Sequence, residues 1–405
     1  MADVKPMSAG VYLHIPFCRS RCSYCDFATD VYRDASTVER YVAALCKEIE
    51  TTGRNATVRE RAPNAECGVR NAELNPKSKI QNPKSIDTIY FGGGTPSLLM
   101  PDQVEKILNV VRDYFAVSPN AEITMEMNPA TVTPESLQAY RRLGINRASF
   151  GVQTFDDTEL KRLARGHDAR DARETFRMLR DAGFDNVSFD LIAGLPRQTL
   201  DDWRRNLDEA LALDPEHLSL YLLEIHEGTP LAEQVRSGRQ PAPDEDLAAE
   251  MYELMIDTVG SAGFRQYEIS NFAKPGRESR HNSKYWLLDP VFGFGVSAHS
   301  FDGVERYANE RDTAAYVRLI EKLGSAETTR EAIDAESEFV FLGLRMNEGI
   351  DRVRFGDRFG SDIAGRFGDA IDELADAGLI EFDERKLRLT RRGMLVSNDV
   401  FSRFV

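Results

Sequence analysis

The sequence predicts an α/β protein whose first half is a partial (β/α)6 barrel. Between residues 8 and 225, six short apolar runs alternate with longer stretches of helical periodicity, which indicates βαβ units and a parallel sheet. Right-handed crossovers repeated six times curl such a sheet into a full or partial barrel. The chain has 405 residues, of which 42% are hydrophobic and 29% charged, so it is long enough for further domains with their own cores.

The predicted strands are runs of five or six residues: Val11–Ile15, Ile86–Phe91, Glu122–Met127, Arg147–Val152, Val187–Ile192 and His217–Leu222. The predicted helices between them are longer amphipathic stretches: Val38–Glu50, Pro101–Tyr114, Pro134–Leu143, Ala169–Ala182 and Leu200–Leu213. Because the carboxyl ends of parallel strands meet at one face of a barrel, we expect functional groups to gather where these strands end.

Residues 53–85 interrupt this alternation between the first helix and the second strand. The triplet NAE and the tetrapeptide NPKS each recur there after seven residues. The repeats hold polar residues and prolines instead of the apolar a and d positions of a coiled coil. We interpret the segment as a duplicated, flexible insertion, and we expect Cys67 within it to bind no metal.

Two further regions are expected after the barrel. Residues 226–330 are predicted to form an α+β region, with a helix near Asp246–Ala262 and the segment HNSKYW. Residues 331–405 are predicted to form a winged-helix-like module, because helices are followed by Gly378, a strand, a charged turn at Asp383–Glu384 and a second strand.

Charge argues against a nucleic-acid partner. The formal net charge is −15, and the region from Glu331 onward carries 16 acidic and 11 basic side chains. Nucleic-acid binding requires a basic footprint. We therefore expect the basic segment RKLRLTRR in this region to be a solvent-exposed edge strand and not a phosphate-binding surface.

The sequence also predicts a cytoplasmic location. The first ten residues, MADVKPMSAG, lack the apolar core of a signal peptide, and no apolar run reaches the roughly 20 residues of a membrane span. A reducing compartment would suit free thiols and an oxygen-sensitive metal centre.

Three cysteines near the start of the chain are the strongest chemical signal. Cys18, Cys22 and Cys25 form a C-x3-C-x2-C array, whereas the other two cysteines stand alone. An iron–sulfur cube normally takes four cysteine ligands, so three would leave one iron open to a small chelating molecule. A zinc site completed by His14 or Asp26 is the alternative, although zinc sites usually combine two separated Cys/His pairs. A disulfide framework is disfavoured by the odd cysteine count.

Polar groups stand at the ends of several predicted strands. The second strand runs into the glycine-rich segment GGGTP, which would let a ligand approach the backbone or simply form a tight turn. Glu126, Gln153 and Asp190 end or follow later strands. They could bind a polar ligand, or they could cap helices and pair with nearby arginines.

The motifs YLHIPFC, CSYCDF, FGGGTPS, EMNP, FGVQTF and FDLIAGLP occur in this order, and together they resemble the coproporphyrinogen III oxidase group of radical S-adenosylmethionine (SAM) proteins. The resemblance covers nearly the whole chain except residues 53–85. It implies that Cys18, Cys22 and Cys25 hold a [4Fe–4S] cluster whose fourth iron binds SAM.

The same resemblance implies a set of SAM-binding residues. Tyr12 and Tyr24 would lie beside SAM, and three residues of the GGGTP segment would meet its methionine end. The remaining contacts would come from residues of the later strands and of the short motif ARGH. The complete implied set is Tyr12, Tyr24, Gly93, Gly94, Thr95, Glu126, Gln153, Arg165 and Asp190.

Two features favour a heme-chaperone branch of that family over its oxidases. The oxidases place a fourth cysteine two residues after the third, where this chain has Phe27, and they carry a long extension ahead of the site. Conversely, HNSKYW resembles the HNxxYW motif of the heme chaperones. The resemblance implies binding of heme and its delivery to heme-accepting proteins, with transient contact where an acceptor is membrane-bound. The alternative is oxidative decarboxylation of coproporphyrinogen III.

His281 of the HNSKYW segment is a candidate axial ligand of heme iron, which accepts histidine. The competing interpretation is a hydrogen-bonded histidine within an aromatic cluster that includes Tyr285 and Trp286. His226 and His299 are the other candidates for the ligand.

Overall fold

A computed structural model describes residues 8–31, 34–59 and 84–405 of the chain. Its strands are β1 (Ala9–Ile15), β2 (Phe17–Cys18), β3 (Asp30–Val31), β4 (Ser85–Gly93), β5 (Ala116–Met127), β6 (Arg147–Gln153), β7 (Val187–Ala193), β8 (His217–Leu222), β9 (Arg265–Glu268), β10 (Asn271–Ala273), β11 (Val291–Phe294), β12 (His299–Phe301), β13 (Glu305–Asn309), β14 (Glu327–Ala332), β15 (Ile350–Asp351), β16 (Ile380–Phe382) and β17 (Lys386–Leu389).

The α-helices are α1 (Ala35–Arg59), α2 (Pro101–Tyr114), α3 (Pro134–Leu143), α4 (Asp157–Arg162), α5 (Ala169–Asp181), α6 (Leu200–Ala212), α7 (Pro230–Arg236), α8 (Glu245–Ser261), α9 (Arg280–Trp286), α10 (Thr313–Leu323), α11 (Ala335–Gly343), α12 (Arg352–Phe359), α13 (Ile363–Asp376), α14 (Arg391–Leu395) and α15 (Ser397–Phe401). Two short 3-10 helices, Pro96–Leu98 and Ser402–Phe404, complete the set in the described residues.

Six parallel strands form the partial barrel that the sequence predicts. They are neighbours in the order β1-β4-β5-β6-β7-β8, which follows the chain. All six coincide with the predicted apolar runs to within a few residues at most ends, β5 beginning earlier, at Ala116. Every residue of β6 is buried, as expected for a parallel strand covered on both faces. The predicted fold class is confirmed.

The two faces of these strands have different chemistry. On the outer face, Phe150 and Phe189 pack edge to face with ring centroids 4.7 Å apart, and Phe189 also contacts Phe176 of α5. On the inner face, β5, β6, β7 and β8 bring polar residues into register, with Glu126 opposite Ser149 and Asp190 opposite Ser219. Alternation along each strand therefore places the apolar residues under the helices and the polar residues in the barrel interior.

Residues after 225 extend the same sheet at both edges. β10 pairs antiparallel with β8 and is followed outward by β9. At the other edge β11 pairs parallel with β1, and β12, β13 and β14 continue from it in antiparallel order. The whole sheet thus has 12 strands in the described residues. The segment between β11 and β12 comes to lie beside the carboxyl end of β1.

The C-terminal region has its own three-stranded sheet and a second hydrophobic core. Helix α11 precedes β15, helices α12 and α13 follow, and the hairpin β16–β17 comes next, as in a winged helix, before the short helices α14 and α15. One expectation for this region is wrong: the basic strand β17 is central, because it pairs with β15 on one side and β16 on the other. β15 has only two residues, too few for a recognisable sequence pattern.

Helix α1 is longer than its sequence pattern predicts and continues to Arg59, so the first residues assigned to the insertion are helical. The repeated NAE and NPKS segments and Cys67 lie largely or wholly within residues 60–83, outside the described residues. No helix in the described ranges combines the length and apolar composition that a membrane crossing requires.

Candidate functional site

The three cysteines of the array lie on one loop above the barrel. Cys18 ends β2, and Cys22 and Cys25 follow in the loop; all three side chains are partly buried. The loop is held by backbone hydrogen bonds at Ser23, whose N–H donates to the Leu163 carbonyl over 3.0 Å and whose carbonyl accepts from Leu231 N–H over 2.8 Å. Barrel and post-barrel segments therefore fix the loop from two sides.

The thiols are close enough to affect one another. Burial raises the pKa of Cys25 to about 11, and the neighbouring Cys22 and Cys18 raise it further. Burial likewise raises the pKa of the Cys18 thiol, while the Thr95 hydroxyl, 3.6 Å from the Cys18 sulfur, opposes this. Because the thiols of Cys18 and Cys25 resist ionisation on their own, a bound cation would be needed to stabilise their thiolate forms.

Arg165 supplies positive charge at this loop. Its Nη1 lies 3.4 Å from the Cys22 sulfur and 3.5 Å from the Tyr24 hydroxyl. Its Nη2 donates to Asn128 Oδ1 over 2.9 Å and to the Gly151 carbonyl over 2.6 Å. The buried Nε has no hydrogen-bond partner among the described residues. A buried donor without a partner fits a site completed by a bound acceptor.

The GGGTP segment follows β4 and passes beneath the cysteine loop. Gly94 has no room for a side chain, because an added Cβ would lie 2.7 Å from the backbone of Pro16. Gly93 has a φ of +107°, which favours glycine, and its N–H donates to Glu126 Oε2 over 3.1 Å. The hydroxyl of Thr95 accepts from Asn128 Nδ2 over 2.8 Å. Glycines here bring the backbone close to the cysteine loop.

Glu126 is buried below that segment. Tyr90 donates to Glu126 Oε1 over 2.8 Å. Burial raises the pKa of Glu126 to about 7, and the neighbouring Asp190 carboxylate adds to the shift. Burial also raises the pKa of Asp190, whereas hydrogen bonds from Ser219 and Ser149 oppose it. Both carboxylates lie inside strands, so they are not helix caps. They provide acceptors at two sides of the barrel interior.

Gln153, Tyr24 and Tyr12 also lie around this interior. Gln153 is buried with a φ of +68°, and a Cβ on Gly151 would meet its Nε2 at 2.5 Å. Tyr24 packs against the small cluster that includes Leu163. Tyr12 places its hydroxyl 3.2 Å from His14 Nδ1 and stacks on Tyr90 at a centroid distance of 6.2 Å. Hydrogen bonds thus connect several of the implied SAM-binding residues, since Asn128 joins Thr95 to Arg165 and Glu126 accepts from Gly93.

His281 lies inside the barrel, with 1% of its surface exposed. Its Nδ1 is 2.9 Å from the Thr88 hydroxyl and its Nε2 is 3.2 Å from the Tyr285 hydroxyl. Its ring stacks on Tyr90 at 5.1 Å. Burial, with Lys284 and Arg147, lowers the pKa of His281 to about 3, so the ring is neutral at pH 7. Axial ligation by His281 would require one of these hydrogen bonds to break.

The geometry does not favour the zinc alternative. Both ring nitrogens of His14 are engaged, Nδ1 with Tyr12 and Nε2 with the Ala28 carbonyl at 2.9 Å. Within residues 8–31, 34–59 and 84–405, no group of three or more His, Cys, Asp or Glu side chains is arranged to hold a single metal ion. A cluster makes a different demand, because each of its cysteines binds a different iron.

Sequence reasoning missed two side chains that connect the site. Asn128 joins Thr95 to Arg165, and Tyr90 joins Glu126 to the aromatic residues around His281. A signal for Asn128 was present in the motif EMNP at the end of β5. Tyr90 could have been found from strand alternation, since it is two residues before the first glycine of GGGTP and shares that glycine's face.

An open cavity of about 400 Å³ lies beside the cysteine loop. It is lined by Tyr12, His14, Asp26, Phe27, Ala28, Tyr285, Ser297, His299 and Arg311. Phe27, which stands where the oxidases would have a fourth cysteine, is 61% exposed at its wall. His226, the third candidate histidine, is outside this lining and lies 3.7 Å from Asp26.

Comparison with known proteins gives two family matches. Residues 12–210 match the Radical SAM superfamily, and residues 331–396 match the HemN C-terminal domain. Among solved structures, coproporphyrinogen III oxidase (HemN) from Escherichia coli superposes with a TM-score of 0.82 at 23% identity, over 98% of this chain and 90% of that chain. At this identity the likeness concerns the fold alone.

Curated relatives match over nearly their full length. The heme chaperone HemW of Bacillus subtilis (strain 168) is 36% identical over 97% of this chain and 98% of its own. HemW of Mycobacterium tuberculosis (strain ATCC 25618 / H37Rv) is 34% identical over 99% of this chain and 95% of its own. The mitochondrial radical S-adenosyl methionine domain-containing protein 1 of Bos taurus is 33% identical over 96% of this chain and 85% of its own. The chain belongs to the family of the heme chaperone HemW, within the Radical SAM superfamily.

Proposed function

We propose that this protein is a heme chaperone that holds a SAM-capped [4Fe–4S] cluster, binds heme and transfers it to acceptor proteins. The observation that carries the proposal is the open cavity next to the three-cysteine loop, with Phe27 at its wall. This arrangement offers a cofactor site and a separate space for a second large ligand, while the position of a fourth cysteine ligand is filled by a phenyl ring that cannot bind iron.

The residues of this chain fit the cluster and SAM. Cys18, Cys22 and Cys25 would supply the three thiolates, and Arg165 would offset part of their negative charge. When bound, the cluster supplies an open iron for the amino and carboxylate groups of SAM and a centre for electron transfer. The buried Nε of Arg165, which has no hydrogen-bond partner among the described residues, could donate to an acceptor atom of the ligand.

The residues implied for SAM have distinct parts in this proposal. Gly93 and Gly94, which pack without side chains against His14 and Pro16, would meet the methionine end of SAM, and Thr95 would border it. Glu126 and Asp190 would accept hydrogen bonds from the part of SAM beyond its methionine end, while Gln153, Tyr12 and Tyr24 would line the remaining space. These assignments are supported by the hydrogen bonds that link Thr95 and Arg165 through Asn128 and Gly93 to Glu126, and by the match of the chain to the Radical SAM superfamily.

The second candidate function is the oxidase reaction, the oxidative decarboxylation of coproporphyrinogen III. The structural likeness to HemN supports it at the level of fold. Phe27 disfavours it, and the names of the 34–36% identical relatives favour the chaperone. We expect heme and heme-accepting proteins as partners in the cytoplasm, including transient contact with membrane-bound acceptors, and no nucleic acid.

Anaerobic titration with heme tests the proposal. The reconstituted protein should bind about one heme per chain, with a Soret band that free heme lacks, and should pass it to a heme-free acceptor protein whose own spectrum then develops. Absence of a saturable Soret change would contradict the proposal, as would heme that remains bound in the presence of every acceptor offered.

A further inference from the structure

The cavity beside the cysteine loop has a histidine with a free imidazole. His299 begins β12 and lines this cavity; it also lines a second cavity of about 260 Å³, on the other side of Tyr285. Its side chain is partly exposed, and no described residue forms a hydrogen bond with its ring. By contrast, the rings of His14 and His281 have both nitrogens engaged. Of the histidines near the cavity, His299 therefore needs no rearrangement to bind a metal.

The walls around His299 suit a flat aromatic ligand. Tyr12, Tyr285 and Phe27 line the larger cavity, and Phe27 and Tyr285 are both partly exposed to it. Aromatic rings pack well against a porphyrin face. The volume lies within the range of small-molecule and cofactor pockets. Because the cavity is open on one side, a ligand in it would keep an exposed edge.

The charges at the cavity are asymmetric. Arg311 lines the same cavity as His299, and none of the described carboxylates forms an ion pair with it. Arg306, at the second cavity, is instead paired with Glu338. Asp26 also lines the cavity, and its carboxylate lies 3.7 Å from His226. In a chain of net charge −15, an arginine without an acidic partner in an aromatic cavity is suited to a carboxylate of a ligand.

We propose that this cavity is the heme site, with His299 as the axial ligand of the iron and Arg311 as the partner of a heme propionate. The inference rests on the proposed function and adds the position of the heme site and the identity of the axial ligand. Neutral imidazole is the form that binds metals. In agreement, burial lowers the pKa of His299, and Arg306 and Arg311 lower it further.

The position accounts for both retention and release. Axial coordination would hold the iron at the centre of the heme and one charge-assisted contact would hold its propionate edge, while the open side of the cavity would leave the rest of the heme accessible to an acceptor. Tyr12 borders both this cavity and the space assigned to SAM, with its hydroxyl bonded to His14. Heme and SAM would therefore occupy adjacent sites with a shared wall.

Hemin titration of the reconstituted full-length protein tests the site. His299→Ala should shift the Soret maximum and weaken hemin binding by at least roughly tenfold, the lower bound for disturbing a metal's ligand shell. Added imidazole should restore the wild-type spectrum. The control His226→Ala, which removes a histidine outside the cavity, should behave as wild type. Arg311→Gln should weaken hemin binding and leave binding of hemin dimethyl ester unchanged, because the ester has no charged propionate.

The outcomes separate this inference from the proposed function. If the wild-type protein binds no hemin, the proposed function itself fails. If the wild type binds hemin but His299→Ala matches it in spectrum and affinity, the site is elsewhere and the function stands. A Soret change in His226→Ala, with none in His299→Ala, would likewise overturn the site. Cluster content and SAM binding at wild-type levels in His299→Ala would show that the variant is folded.

Discussion

The guanidinium of Arg165 lies 3.4 Å from the sulfur of Cys22, although the two residues are 143 positions apart in the chain. The same side chain reaches the end of β5 through Asn128 and the end of β6 through the Gly151 carbonyl. The cysteine loop is therefore connected directly to the carboxyl ends of two barrel strands. Loss of this contact should affect the cofactors more than the fold.

Arg165→Gln should retain the fold but lower SAM affinity and cluster stability. The substitution removes the charged guanidinium that donates to the Cys22 sulfur and to the Asn128 side chain. Hydrogen bonds to charged groups contribute roughly 1.5–3 kcal/mol, so we expect about a tenfold or larger loss of SAM affinity. Arg173→Gln is a matched control, since Arg173 pairs with Glu209 on the surface. SAM binding is measured by equilibrium dialysis under anaerobic conditions. Equal affinities in both variants would exclude the proposed role of Arg165.

Each cysteine of the array should be required for the cluster. Because the three thiolates bind different irons, Cys18→Ala, Cys22→Ala or Cys25→Ala should leave little stable [4Fe–4S] after chemical reconstitution. Iron and sulfide content and visible absorbance measure the result. Cys46→Ala should reconstitute normally, since Cys46 is buried in the core of the barrel. A loss of cluster in this control as complete as in Cys22→Ala would refute the ligand assignment.

Asp190→Ala should weaken SAM binding without removing the cluster. The carboxylate is buried and accepts hydrogen bonds from Ser219 and Ser149, and a lost hydrogen bond to a polar ligand costs about 1–3 kcal/mol. Unchanged SAM affinity would place the nucleoside elsewhere. Asp185→Ala provides the control, because Asp185 is an exposed residue just before β7 that forms an ion pair with Arg277.

The position of His281 yields a contrasting prediction. Its ring nitrogens are occupied by Thr88 and Tyr285, so His281→Ala should leave the Soret maximum of the heme complex unchanged. The variant should be less stable, by about 1–3 kcal/mol for the buried groups left without a partner. Absorbance spectra and thermal unfolding measure these two effects. A shifted Soret band in His281→Ala would restore His281 as the axial ligand.

Stability should depend on pH through Glu48. Its carboxylate accepts from Tyr316 over 2.6 Å, from the Gly295 N–H over 2.9 Å and from Asn309 over 2.6 Å, yet burial raises the pKa of Glu48 to about 7. The folded state holds this proton up to a higher pH than the unfolded state, where the pKa is about 4.3. The stabilisation from this group is therefore complete below about pH 4.3 and is lost as pH rises through about 7.

Glu48→Gln tests that dependence. Its free energy of unfolding should vary less between about pH 4.5 and 7 than that of the wild type, by up to about 3 kcal/mol. Denaturant unfolding at several pH values provides the measurement. Glu50→Gln, a change two residues away on the same helix at a more exposed side chain, is the control. A wild-type pH slope in Glu48→Gln would show that Glu48 titrates normally.

Much of the barrel and the cysteine site followed from local sequence patterns. Continuous apolar runs identified the six parallel strands, and close spacing identified the three cysteines. The rest depended on long-range pairing that no local pattern records. β17 is central because the two-residue strand β15 pairs with it. Helix α4 was not predicted, because its six residues are too few to show a helical pattern.

His281 shows the same limitation at the level of one side chain. Its motif left two interpretations open, an axial heme ligand or a hydrogen-bonded member of an aromatic cluster. Gly10 leaves room for the ring inside the barrel, since a Cβ there would approach the ring to 3.1 Å. His299 had no motif around it, and its place in the cavity results from the pairing of β12 with β11 at the edge of the sheet.

One comparison tests the central claim most directly. Anaerobically reconstituted wild-type protein is supplied in parallel with heme and with coproporphyrinogen III plus SAM and a reductant, beside an authentic coproporphyrinogen III oxidase as positive control. The account predicts stoichiometric heme binding and no formation of protoporphyrinogen IX by this protein. Robust decarboxylation without heme binding would contradict it and establish the oxidase function.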